Sequence, residues 1–342
     1  MKKIAAAFLF IAFIAISLYA AGTRIVTEPD GTKVEIPLEP SRIACLWHPA
    51  YDKIIMMSRG SRIALIPATT TRWAKKFYPE LANIATFTMG TAPDPERLIK
   101  LGIDLVIIPK GRYNLPEMEK GKIAMFCPFD QSYVPPNIDA YIADQQKQVR
   151  VFAELLGGDA KVKAEKYCAY LLNITNRVRA VVSKIQEKNK PRVYYGKNEN
   201  ILGTQGGNTI MHWYTEAAGG VYLPKNFKVY FAETSREQLI GWDPDIIMIG
   251  MMSTKRNNLR GLETMKAVKA GSVHNVPSGI FYWDMTSCET ALLPLYLAKI
   301  FHPKLFADWD MVKEMQKFYS EIYGINISAK DAGLILKSLP PE

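Results

Sequence analysis

Glu96-Arg-Leu-Ile-Lys-Leu-Gly-Ile-Asp-Leu-Val-Ile-Ile108 returns, loosely, as Glu237-Gln-Leu-Ile-Gly-Trp-Asp-Pro-Asp-Ile-Ile-Met-Ile249. Glu96 and Glu237, Leu98 and Leu239, Ile99 and Ile240, and Asp104 and Asp245 each stand 141 residues apart. Each copy reads as a helix start, a short helix, a turn and a buried strand. One helix–strand unit carried twice at this distance predicts two similar α/β lobes, and a cleft between lobes is a usual place for a ligand.

Working outward, strands alternate with helices through both halves, which predicts parallel sheet. Arg24-Ile-Val-Thr-Glu and Lys33-Val-Glu-Ile-Pro alternate in period two around Asp30-Gly31, a hairpin signature. Strands are expected over Arg42–Trp47, Arg62–Pro67, Asp104–Pro109 and Ile123–Cys127, then from Pro191 to Gly196 and around Val273 to Val276. Between the lobes, Ala164, Cys168, Leu171, Thr175, Val178, Val182 and Ile185 make one apolar stripe. The stripe predicts a single helix from about Asp159 to Lys188, roughly 40 Å long at ~1.5 Å per residue. The expected organisation is a leader over 1–21, a first lobe over 22–157, the joining helix over 158–189 and a second lobe over 190–342.

Met1-Lys2-Lys3, the apolar run from Ile4 to Ala21 and the small residues around Ala20-Ala21 read as a cleavable secretory signal peptide. The first cysteine, Cys45, lies far beyond that run, so no lipid anchor is expected, and the periplasm is the expected compartment. The net charge of +10 comes from dispersed basic residues. Together with secretion, this argues against nucleic acid and leaves an anionic ligand open. Cys45, Cys127, Cys168 and Cys288 form no zinc spacing. A Cys45–Cys127 bridge is left open. Cys168 reads as core.

No phosphate loop, G-x-S-x-G elbow or H-E-x-x-H occurs, and Gly203-Thr-Gln-Gly-Gly-Asn208 does not match the dinucleotide fingerprint. An enzyme is therefore not expected. The rival reading is a secreted hydrolase using Asp284 or Glu289 near Trp283, and a third is a sensor module.

The chain resembles the helical-backbone class of periplasmic binding proteins for ABC importers, the group taking up iron–siderophore, haem and cobalamin. The resemblance rests on Thr27-Glu-Pro-Asp-Gly-Thr-Lys-Val-Glu-Ile-Pro followed by Ser41-Arg-Ile-Ala, on the unit around Glu96, and on Leu155-Leu-Gly before the long helix. It continues through Ala217-Ala-Gly-Gly, Thr234-Ser-Arg-Glu-Gln-Leu-Ile with Asp243-Pro-Asp-Ile-Ile, and Leu297-Ala-Lys-Ile-Phe-His-Pro-Lys-Leu-Phe. It implies two Rossmann-like lobes joined by one long helix, and a monomer with no cofactor of its own. It also implies delivery of a metal chelate to a permease dimer with its ATPase. Glu96 and Glu237 match the surface glutamates with which the family docks each lobe on its permease. Each opens a helix, where a carboxylate complements the dipole.

Ligand contacts are expected from loops at the carboxyl ends of strands. In the first lobe these supply Trp47, His48, Arg72, Trp73, Lys110, Arg112 and Tyr113. In the second they supply Tyr195 (within Tyr195 to Asn198), Met251, Arg256, Tyr282 and Trp283. Aromatic faces with Arg and Lys suit a planar or anionic chelate. His48 and His212 are the candidate metal contacts, for a chelated nickel or cobalt; His274 and His302 read as structural. Tyr230-Phe231-Ala232 stands where the family's iron-coordinating histidine would be sought. A ferric siderophore is the first expectation for the ligand, then a nickel or cobalt chelate, then haem or a corrinoid.

Overall fold

The computed structural model describes residues 22–88, 90–91, 93–110, 123–130, 132–197, 200–250 and 259–342. The proposed signal peptide lies outside them. Strands β1 (Thr23–Thr27) and β2 (Lys33–Pro37) form the expected antiparallel hairpin, which buries Val26 and Ile36. Its turn is closed by Asp30 Oδ1, which accepts the Thr32 amide at 3.0 Å.

The first lobe is built on β3 (Ile43–Cys45), β4 (Ile63–Pro67), β5 (Ala85–Phe87), β6 (Leu105–Ile107) and β7 (Ala124–Phe126). They lie in the order β5-β4-β3-β6-β7, all parallel. Helices α1 (Pro49–Met56), α2 (Arg72–Phe77) and α3 (Pro95–Lys100) make three of the crossovers. The central strands β3, β4 and β6 are covered on both faces, so they read as continuous apolar runs rather than alternating ones.

Helix α4 (Ile138–Leu156) is capped by Asn137, which accepts the Ala140 amide at 2.8 Å. It ends at Gly157 and Gly158, both at positive φ, where a side chain would be strained. Helix α5 (Ala160–Val182) then joins the lobes. It is shorter than the stripe predicts: 23 residues, about 35 Å. Past Val182 the Ser183 hydroxyl bonds the Ala180 carbonyl, and the Ile185 amide reaches back only three residues to Val182. Gln186 is extended, and a short 3-10 turn leads to Pro191. The buried face is otherwise as expected, with Ala164, Cys168, Leu171, Thr175, Val178 and Val182 all inside.

The second lobe contains β8 (Arg192–Lys197), β9 (Gly203–Gln205), β10 (Val221–Tyr222), β11 (Phe231–Glu233), β12 (Ile246–Gly250) and β13 (Val273–Asn275). The order is β11-β9-β8-β12-β13, with β10 beside the first half of β8. Only β9 runs against the others. Helices α6 (Ile210–Ala217), α7 (Arg236–Trp242) and α8 (Lys266–Lys269) belong to this lobe. Helices α9 (Leu293–Phe301), α10 (Met311–Phe318) and α11 (Ala329–Leu336) finish the chain. The terminal pair packs on α5 and the first lobe: Tyr170 donates to Glu314 at 2.7 Å, and Lys76 pairs with Asp331 at 2.8 Å.

The repeat that predicts the fold holds down to its hydrogen bonds. Asp94 caps α3 through the Glu96 amide, and Ser235 caps α7 through the Gln238 amide, each at 3.0 Å. Leu98 and Leu239 are both fully buried. Asp104 accepts the amides of Ser41 (2.7 Å) and Arg42 (3.0 Å), and Asp245 accepts that of Arg192 (2.8 Å). Each aspartate therefore ties the start of its strand to the start of the neighbouring first strand of the sheet.

Candidate functional site

The two sheets have one design feature in common. Strand β3 lies between β4 and β6, and β8 lies between β9/β10 and β12, so each lobe's first sheet strand sits where the winding reverses. In open α/β sheets a ligand binds beyond the carboxyl end of such a strand. Those ends lead to Trp47-His48 in one lobe and to Lys197 in the other.

A segment that contacts both lobes, the floor, runs from Ser278 to Thr290. It belongs to the second half of the sequence but is held by α1 and α2 of the first lobe. Tyr51 donates to the Ile280 carbonyl (2.7 Å), Lys53 to that of Thr286 (2.6 Å), and Thr71 to those of Gly279 (2.8 Å) and Ile280 (2.9 Å). Asp52 accepts the Cys288 amide (2.6 Å), the Ser287 hydroxyl (3.1 Å) and the Tyr323 hydroxyl (2.5 Å). Glu289 accepts the Phe281 amide at 2.8 Å and the Tyr319 hydroxyl. Its pKa is pushed up to about 8, first by burial and then by the Asp52 charge. A Cβ on Gly279 would overlap both Glu289 and the Tyr319 oxygen, so only glycine allows this close packing.

The pinned floor presents Phe281 and Tyr282 to the first lobe's loops. The His48 ring lies 6.1 Å from Phe281, nearly parallel to it, and its Nε2 is 2.8 Å from Thr69 Oγ1. Trp47 packs 4.9 Å from Phe129, with Lys53 Nζ 5.0 Å over its ring. Tyr282 is half-buried against Phe281, its hydroxyl pKa raised by burial and the nearby Asp284. His48 therefore meets Tyr282 only through Phe281, and Trp47 faces Phe129, Phe152 and Lys53.

Other expected contacts are placed differently. Trp73 is buried, donates to the Leu339 carbonyl at 2.9 Å and stacks on Phe77, which fixes the chain terminus. Tyr195 is fully buried and donates to Asp284 Oδ2 at 2.7 Å, while Trp283 is sealed in the core. Lys110 does not reach across the cleft; it pairs with Glu28 and Asp30, each at 2.5 Å, and so ties the hairpin to the sheet. Arg72 is exposed on the first turn of α2. Arg112, Tyr113, Met251 and Arg256 lie outside the described residues.

His212 also departs from expectation. Its Nδ1 accepts the Asn208 amide at 2.8 Å, which leaves the proton on Nε2, 3.3 Å from Glu216. Both ring nitrogens are spent within the second lobe, and the ring stacks on Trp213 at 4.3 Å. His48 and His212 therefore do not form a pair. Among the described residues no group of three or more His, Cys, Asp or Glu side chains is placed to hold a metal ion. His302 faces the Gly219 carbonyl at 3.1 Å, a structural role as expected.

All four cysteines are free and buried. Cys45 and Cys127 cannot bridge, because β6 stands between their strands. Two strand spacings put their backbones about 9–10 Å apart, beyond the ~7 Å limit. Asp284 and Glu289, the hydrolase candidates, are buried carboxylates committed to Tyr195 and to Phe281 and Tyr319.

The glycine-rich loop after β9 packs rather than binding phosphate. A Cβ at Gly206 would overlap the Val229 and Phe227 carbonyls, and one at Gly207 that of Lys225. Their amides donate to Tyr230 (3.0 Å) and Phe227 (2.8 Å), seating the chain that delivers Tyr230 and Phe231. In the sequence this pair stands out only for lacking a histidine, and Asp52 reads as an ordinary helix acid.

Glu96 and Glu237 are exposed in the first turns of α3 and α7. Strand β11 runs parallel to β8, so both helices start at the carboxyl edges of their sheets.

A family profile described as periplasmic binding protein matches residues 43–278. The molybdate-binding protein MolA of Haemophilus influenzae is 23% identical over 338 residues, covering 90% of this chain and 93% of the relative. The molybdate-bound structure of MolA superposes with a TM-score of 0.76 at 19% identity, covering 89% and 99% of the two chains. A periplasmic solute-binding protein from Veillonella parvula gives 0.75 at 24%, covering 92% and 97%. The Helicobacter pylori CeuE complex with nickel and histidine gives 0.73 at 21%, covering 92% and 99%. Among the described residues no helix is long and apolar enough to cross a membrane.

Proposed function

This chain belongs to the periplasmic binding protein family, and from that premise we propose that it captures a small metal chelate between its lobes and hands it to the permease of an ABC importer. It performs no chemistry on the ligand. The supporting observation is the aromatic cluster beyond the carboxyl end of β3, where the half-buried Trp47 and His48 follow the strand, His48 lies against Phe281, and the half-buried Tyr282 lies against Phe281 in turn. A ferric siderophore is the preferred ligand. The relatives named for molybdate and for nickel–histidine put an oxyanion and a second metal chelate in the same test.

In this reading the leader directs the protein to the periplasm, and Glu96 and Glu237 meet the two permease subunits, one per lobe. Both are exposed, helix-opening carboxylates in matched positions. The experiment is charge reversal. The double variant Glu96→Arg/Glu237→Arg should lose uptake in cells while keeping wild-type ligand affinity in vitro. Undiminished uptake would refute the docking assignment.

A further inference from the structure

Two lysines are buried among the described residues, Lys53 and Lys197. Their surroundings differ. Lys53 donates to the Thr286 carbonyl at 2.6 Å and also lies over Trp47. Lys197 is 9% exposed, yet among the described residues no carboxylate lies within 4.0 Å of it and no carbonyl or hydroxyl accepts from it. Its Nζ stands 3.7 Å from the centroid of the Phe231 ring. Glu233, two residues along β11, acts on it only at longer range. An ammonium group has three donors. An aromatic face compensates part of its charge but accepts none of those hydrogen bonds in the ordinary sense. A desolvated, under-partnered cation costs free energy unless something completes its shell.

The position explains what completes it. Lys197 ends β8, the switch-point strand of its sheet, opposite Gly250 at the end of β12. At the start of β11, on the far side of β9, Tyr230 and Phe231 are large aromatics left 45% and 46% exposed, although the glycine-rich loop fixes their backbone. Both rings stand open beside the buried ammonium of Lys197, where a ligand that reaches it would lie against them.

We infer that Lys197, set on the Phe231 ring, is the charge anchor of the cleft and that the ligand presents an anionic oxygen to it, with Tyr230 and Phe231 as the apolar wall. This rests on the ligand-capture function proposed above and narrows it to ligands of negative charge: catecholate or carboxylate chelates, or a free oxyanion. Neutral hydroxamate chelates are excluded.

The test titrates the purified protein with an iron(III) tris-catecholate, iron(III) citrate, molybdate and a neutral iron(III) trihydroxamate. Wild type, Lys197→Met, Lys197→Gln and Lys197→Arg are compared, each checked for folding by circular dichroism. Wild type should bind at least one anionic probe. Removing the charge should weaken that probe roughly 10- to 100-fold, as for a hydrogen bond to a charged group, while Lys197→Arg keeps most of the affinity. Either neutral variant suffices if the other does not fold. Anionic binding unchanged in a folded neutral variant overturns the assignment of Lys197 and leaves ligand capture standing. Wild type binding only the trihydroxamate does the same. Wild type binding none of the four overturns the assignment of Lys197, and ligand capture falls with it only if haem, cobalamin and nickel–histidine also fail to bind.

Discussion

Asp52, in the first lobe, accepts the amide of Cys288, 236 residues further on, in a 2.6 Å hydrogen bond between two buried residues. With Ser287 and Tyr323 it makes three donors converge on one buried carboxylate. That cluster fixes the segment that carries Tyr282 into the cleft. Asp52→Ala should therefore destabilise the fold by about 3 kcal/mol, because three buried donors lose their acceptor. Urea unfolding measures it, and a loss under about 0.5 kcal/mol would show that the cluster is not what joins the lobes.

Glu289 gives the same junction a pH dependence. Its folded pKa of about 8 lies above the usual 4.5, so the folded state holds a proton that the unfolded chain releases. Its contribution is fully present below about pH 4.5, falls as pH rises, and is gone above about pH 8. The size is roughly 3–5 kcal/mol at ~1.4 kcal/mol per unit. Glu289→Gln keeps the shape and removes the titration. The difference in melting temperature between wild type and variant should shift in the variant's favour from pH 5 to pH 8. Parallel curves would contradict this.

Gly206 and Gly207 seat the chain that carries Tyr230 and Phe231, the wall inferred for the ligand. Gly206→Ala should push the chain at Phe227–Val229 away and displace Tyr230 and Phe231. The cost is about 1–3 kcal/mol of stability, as in other overpacked sites. Affinity should fall as well. A variant with unchanged stability and affinity would mean that the loop is not the seat of that wall.

The thiols offer a simple check on the lobe geometry. An uncharged aromatic disulfide reagent should find no reactive cysteine in the folded protein and four after denaturation without reductant. Two would reveal a bridge that the strand order forbids.

Much of the fold was legible because the repeat encodes it locally. Asp94 and Ser235 are cap residues, Leu98 and Leu239 sit at core positions, and Asp104 and Asp245 begin strands. The long helix was overextended since its stripe continues to Ile185 while the backbone turns after Val182. The site was legible only in part. Trp47 and His48 follow from their place just past the first sheet strand, whereas Tyr282 lies well beyond the end of β13 at Asn275. The roles of Lys110, Trp73 and His212 did not, because each is decided by its neighbours. Lys110 meets a hairpin 80 residues away, Trp73 meets the chain terminus, and His212 is settled by the amide of Asn208 and the carboxylate of Glu216. Lys197 could have been found as the cation that ends the second lobe's first strand, but that no hydrogen-bond acceptor among the described residues meets it is a fact of three dimensions.

The central claim is that the cleft between the lobes takes up an intact metal chelate. Tryptophan fluorescence of the purified protein, titrated with ferric siderophores, haem, cobalamin, nickel–histidine and molybdate, tests it most directly. The expected result is saturable 1:1 quenching by a ferric chelate with Kd near ~1 µM or below, an affinity worth about 8 kcal/mol, with the chelate recovered unchanged and the quenching reduced in Trp47→Phe. Quenching by none of the chelates, or chemical conversion of the one that binds, would contradict the claim.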